Sequence, residues 1–125
     1  MSLTLDGTNG ITMPVGSQSN ASCIAWVNAN GTSGASPVIR ASYNITSVTR
    51  NSTGNYTVVM TNAAQDANYA VVITCGDGSQ VNNINVNYNN AGTLTAPTTT
   101  TFIFSTALIG TGVRDQTYIN IAVFR

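Results

Sequence analysis

The sequence predicts an all-β protein: one β-sandwich or barrel-like antiparallel domain behind an extended N-terminal arm. Three observations carry that expectation. Polarity comes from Asn, Thr and Ser, because only 6% of the 125 residues are charged and Lys, Glu and His are absent. Thr, Val, Ile and Tyr favour strands, whereas the strong helix formers Lys and Glu are missing. Short apolar runs recur between Asn-Gly, Asp-Gly and Gly-Ser clusters, which is the spacing of strands and turns.

The chain is long enough for a single modest core. Residues 1–22 read as the arm and a Gly/Ser/Asn linker, and residues 23–125 as the β domain. In the arm, Leu3, Leu5, Ile11, Met13 and Val15 alternate with polar residues around Asp6-Gly7 and Asn9-Gly10. That pattern describes extended chain with tight turns.

Strands are expected at Cys23–Asn28, with the only Trp at position 26, and at Val38–Tyr43. Ile45–Arg50 reads as a kinked continuation of the latter. Tyr56–Thr61 follows. Asn62–Asn68 is a loop with room for one helical turn. Tyr69–Cys75 is the most apolar run and is expected at the centre of a sheet, covered on both faces. On that placement Val72→Asp would bury an unpaired charge. Asn83–Tyr88 alternates cleanly, Thr98–Thr106 is a further strand, and Tyr118–Phe124 is the last.

The inventory excludes most enzyme chemistry. Without His or Lys there is no Ser-His-Asp triad, no His-bearing metal site and no Schiff base. Asp6, Asp77 and Asp115 lie beside or near glycines, where turn chemistry accounts for them, and Asp66 falls in a predicted loop. Gly76-Asp77-Gly78 lacks the further oxygen ligands of a calcium loop. No enzyme activity, metal or cofactor is expected. A net charge of zero offers no handle for nucleic acid or an acidic membrane surface.

Cys23 and Cys75 both lie in or beside predicted strands, so they are either a disulfide or two small apolar residues of a chain made in a reducing cytoplasm; the second is preferred. No signal peptide is apparent, so the Asn-X-Ser/Thr triplets at Asn20, Asn30, Asn44, Asn51 and Asn55 read as products of composition. Asn83, Asn85 and Asn87 share one face of a strand. They form either an uncharged solvated face or an amide ladder between subunits or against a sugar. Trp26 and the tyrosines likewise serve as core or interface anchors, or as a sugar platform.

The strings CIAWVNANGT and VIRASYNITSVTRNSTGNYTVVMTNAAQDANYAVV resemble a domain at the C-terminal tips of bacteriophage tail-fibre proteins. The preceding LTLDGTNGITMP resembles the stem-to-tip junction of such fibres. The resemblance implies a β-rich homotrimer on a virion, made in the host bacterial cytoplasm and often used in host recognition. A chain that starts on the junction has no shaft, which departs from the family pattern.

Two readings follow. One is a capsid decoration (cement) protein that stabilises the shell by contacting the major capsid protein, with Leu3, Leu5, Ile11 and Met13 as the contacting arm. The other is a fibre or spike tip that binds a host surface glycan or protein through loops containing Asn30, Asn51, Asn55 and Arg114. A small lectin unrelated to a particle is a third, weaker class.

Overall fold

The computed structural model describes residues 4–6, 10–12, 22–34, 36–77, 82–85, 89–90, 93–108, 110 and 112–125. Every regular element among them is a strand: β1 (Thr4–Asp6), β2 (Gly10–Thr12), β3 (Cys23–Asn30), β4 (Val38–Tyr43), β5 (Ile45–Ser52), β6 (Asn55–Met60), β7 (Ala70–Gly76), β8 (Asn82–Asn85), β9 (Asn89–Asn90), β10 (Thr93–Leu94), β11 (Thr101–Leu108), β12 (Gly112–Val113) and β13 (Tyr118–Phe124). The fold is an antiparallel β-sandwich, one of the two architectures that composition and turn spacing predict.

One sheet runs β4-β3-β13-β7. The other runs β5-β6-β11-β12, with β8 also paired to β11. Their inner faces meet in one core. β3 supplies the small side chains of Ala25, Val27 and Ala29, and β13 supplies Ile119, Ile121 and Val123. The facing sheet supplies bulk. Its Tyr56 and Phe104 stack with ring centroids 5.1 Å apart, and its Phe102 meets Tyr69, just ahead of β7, edge-on at 6.1 Å. Such ring pairs add stability beyond the apolar area they bury.

The period-two pattern places most strands well. Two departures have clear causes. Thr98 closes a local turn, its Oγ1 accepting from the N–H of Thr101 at 3.0 Å, so the strand predicted from Thr98 begins at Thr101 instead. Asn44 takes the left-handed conformation (φ 56°). There the chain leaves β4 in one sheet for β5 in the other, so the expected kink is a corner between sheets. Asn44 Nδ2 donates to the Ile24 carbonyl at 2.9 Å, and its Oδ1 accepts from the N–H of Asn62 at 2.7 Å. Asn tolerates the left-handed region better than other side chains do. The 62–68 loop forms bends with no helical turn.

The expectation for the Tyr69–Cys75 run is overturned. β7 is the edge strand of its sheet, and Val72 is 54% exposed. Val71 and Ile73 turn toward the core and Val72 and Thr74 away from it, so a continuous apolar run here marks a half-covered strand with an apolar outer face. Burial on both faces belongs to β11, where Phe102 to Leu108 are all buried.

Cys23 and Cys75 are free thiols. Cys23 lies opposite Phe124 and Cys75 opposite Ile119, on the two sides of β13 and five residues apart along it. That is roughly 17 Å of strand, far beyond the reach of a disulfide. β1 and β2 pair with each other, Leu5 opposite Ile11. Leu3, Met13, Asn87 and the Gly/Ser/Asn linker up to residue 21 lie outside the described residues.

Two substitutions on neighbouring residues test the sheet order. At concentrations low enough to keep the chain monomeric, Val72→Asp should leave the melting temperature nearly unchanged. Ile73→Asp should cost roughly 3 kcal/mol or more by burying an unpaired charge. Equal losses in thermal melts would contradict the edge placement of β7.

Candidate functional site

Two surfaces stand out, and both are built by strand register. The first is the outer face of the β4-β3-β13-β7 sheet. Tyr43 lies opposite Trp26, Trp26 opposite Ala122, and Ala122 opposite Val72, making an apolar row across all four strands. Tyr43 is 58% and Trp26 40% exposed. A shallow hollow of about 230 Å³ lies over β7 and β13 beside Val72, Thr74 and Ala122.

One pleat further along runs a polar row. Arg40 Nη1 donates to Asn28 Oδ1 at 3.4 Å, Asn28 Nδ2 donates to Asn120 Oδ1, and Asn120 Nδ2 donates to Thr74 Oγ1 at 3.3 Å. Arg40 also donates to the carbonyls of Ala29 and Thr117 and lies 4.6 Å from the Tyr118 ring centroid. Asn28 and Asn120 thus pair amide to amide across β3 and β13. Asn83 and Asn85 take their backbone places on β8, opposite Ala107 and Ser105.

The second surface is one end of the sandwich, where three loops are laced together. The Asp115 carboxylate is the knot. It accepts from Arg50 Nε (2.9 Å to Oδ2), from the Gly54 N–H (2.8 Å) and from the Tyr56 hydroxyl (2.6 Å). The buried Thr106 adds a second tie: its N–H donates to the Gly54 carbonyl at 2.7 Å and its hydroxyl to the Arg114 carbonyl at 2.6 Å. The Gly31 N–H donates to the Gln116 carbonyl at 2.9 Å, joining the 31–37 loop to the same knot.

Burial alone would raise the Asp115 pKa, but hydrogen bonds from Arg50, Gly54 and Tyr56 outweigh it and hold the group below its ordinary value. Tyr56 is pushed well up, by burial first and by the adjacent carboxylate second. Gly54 sits at φ +64°, and a Cβ there would lie 2.5 Å from the Thr106 carbonyl oxygen. No other residue fits that turn without displacing the knot.

A groove of about 400 Å³ opens over these loops, lined by Thr32, Thr53, Asp77, Arg114, Asp115 and Thr117. The sequence-predicted loop residues fare differently around it. Arg114 lines the groove. Asn30 caps its own loop, its Oδ1 accepting from Thr32 N and Oγ1. Asn51 donates to Asn55 Oδ1 and Thr57 Oγ1. Asn55 is 6% exposed and donates to Ser105 Oγ, so its side chain supports the loop from inside.

Asp115 was legible only as a turn residue. Its partners come from residues 50–56, too distant in sequence for a spacing rule to find. Among the described residues no group of three or more His, Cys, Asp or Glu side chains lies close enough to hold a metal ion. No helix among them is long and apolar enough to cross a membrane. The arrangement offers rigid contact surfaces: one apolar and flat, one polar and concave.

The knot makes the fold acid-sensitive in a defined direction. A carboxylate whose folded pKa is depressed contributes stability above its unfolded value of about 3.9 and loses it as pH falls through the folded value. The melting temperature should therefore drop below about pH 4. Asp115→Asn should remove much of that drop and lower stability at neutral pH by roughly 2 kcal/mol. Gly54→Ala should cost roughly 2 kcal/mol or more through left-handed strain and the lost space. Unchanged urea midpoints for both variants would refute the knot.

Comparison of the chain with protein-family models, with curated proteins and with solved structures gives no match.

Proposed function

We propose that this chain is a non-enzymatic structural protein on the surface of a bacteriophage particle, acting first as a homotrimeric capsid decoration module. The observation that carries the reading is the exposed apolar row Tyr43, Trp26, Ala122 and Val72 on a stiff, nearly uncharged sheet. Exposed apolar surface of this kind, centred on aromatics and bordered by polar groups, is what protein–protein contacts use.

The edge strand points the same way. β4 carries Arg40 and pairs through a bulge, and β5 carries Arg50 and pairs through two irregularities. β7 has no charge, no proline and an unbroken register with β13. Edges without such protection invite another strand. The Leu5 and Ile11 hairpin, with Leu3 and Met13 in the same arm, remains the proposed contact to the major capsid protein. The resemblance to fibre tips supplies the phage context.

Host binding is the second reading, favoured by one observation: the turns carrying Thr32, Thr53 and Arg114 to Thr117 converge on one groove. A fibre or spike tip would present that end to a host glycan or protein.

Copy number separates the two. Quantitative mass spectrometry of purified particles should find this chain near parity with the major capsid protein if it decorates the shell. A few copies per particle would reject decoration in favour of the tip. Trp26→Ser combined with Val72→Asp should leave a folded monomer, read by light scattering. A trimer that survives both substitutions would place the contact elsewhere.

A further inference from the structure

We propose that the groove at the loop end binds a neutral saccharide unit, gripped through one hydroxyl set between Arg114 and Asp77. The inference rests on the host-binding reading and gives that site its ligand chemistry. The Arg114 Nη2 and Asp77 Oδ2 atoms stand 4.0 Å apart, with the guanidinium half exposed. That separation exceeds a direct hydrogen bond of about 3 Å. It leaves room for an oxygen about 2.8 Å from each, accepting from the guanidinium and donating to the carboxylate. A hydroxyl is the group that does both.

The rest of the lining narrows the class. Thr32, Thr53 and Thr117 add hydroxyls around the same space, and every described lining residue is Thr, Asp or Arg. Among the described residues the groove has no aromatic wall and so no stacking platform for a nucleobase. Its charges balance: Arg114 faces Asp77, and Asp115 is neutralised by Arg50 at 2.8 Å. Among the described residues an anionic ligand finds no surplus cation here, and a cationic one finds no surplus carboxylate. The loops are held by the Asp115 knot before any ligand arrives, so little ordering opposes binding.

The test uses the full chain and nuclear magnetic resonance of the threonine methyl groups. The probes are glucose, galactose and mannose at millimolar concentration, with glucuronic acid as the charged control. At least one neutral hexose should shift the Thr32, Thr53 and Thr117 methyls in a saturable way and more strongly than glucuronic acid. Arg114→Ala and Asp77→Asn should each weaken that binding about tenfold, the loss expected for a hydrogen bond to a charged group. The methyl spectrum outside the groove should not change, which shows that the variants fold.

Three results would overturn the inference: no saturable shift with any neutral hexose, a preference for glucuronic acid, or hexose binding indifferent to both variants. Adsorption of the labelled chain to host cells is read in parallel. Arg114-dependent adsorption without hexose binding overturns the saccharide and keeps the host-binding reading. Hexose binding without adsorption does the reverse.

Discussion

The loop end of this sandwich depends on a single carboxylate. Asp115 gathers a guanidinium from β5, a backbone N–H from the 53–54 turn and a hydroxyl from β6. It lies in the segment just before β13, so it ties the two sheets where the strands run out. In a chain with four acids and four bases, each ion pair joins distant parts. Arg125 closes on Asp66 in the same way, while its backbone pairs with Ser22 to extend β13 alongside β3. The charges serve as clasps, and the surface between them is left to amides and hydroxyls.

That division has a consequence for assembly. Charged rims normally keep sheet faces and edges apart. Here the outer sheet face carries a row of rings and aliphatic side chains beside a ladder of amides, with Arg40 drawn onto Tyr118 and backbone carbonyls. A surface with so little repulsion suits a protein that works in a crowded ordered array. The same neutrality extends to the groove, where Arg114 and Asp77 oppose each other. Both surfaces are held by the register of rigid strands or by laced loops, so contact on either requires little rearrangement.

Much of the fold was legible because alternation and turn chemistry are local. The strands at Val38–Tyr43 and Tyr118–Phe124 fall where the pattern puts them. What was not legible is pairing. The apolar run through Val72 looks like a central strand, yet only its neighbours decide whether one face is left open. The hydrogen-bonded amides of Asn28 and Asn120 lie on two strands and 92 positions apart, so no pattern along a single strand shows them. Asp115 was hidden for the same reason, since its partners lie some 60 residues earlier. The sequence offered the loops as contact sites without showing that they meet, and the bonds that Asn30, Asn51 and Asn55 make within and beside their own turns follow from side-chain directions that sequence does not encode locally.

The proposal stands most directly on self-association. The decisive measurement is the native mass of the purified 13.0 kDa chain in solution, by native mass spectrometry at neutral pH and moderate salt. The account predicts a species of three times the chain mass at micromolar concentration. A monomer that persists under those conditions would contradict it, because the apolar row on the outer sheet face would then stand in water with no partner of its own kind.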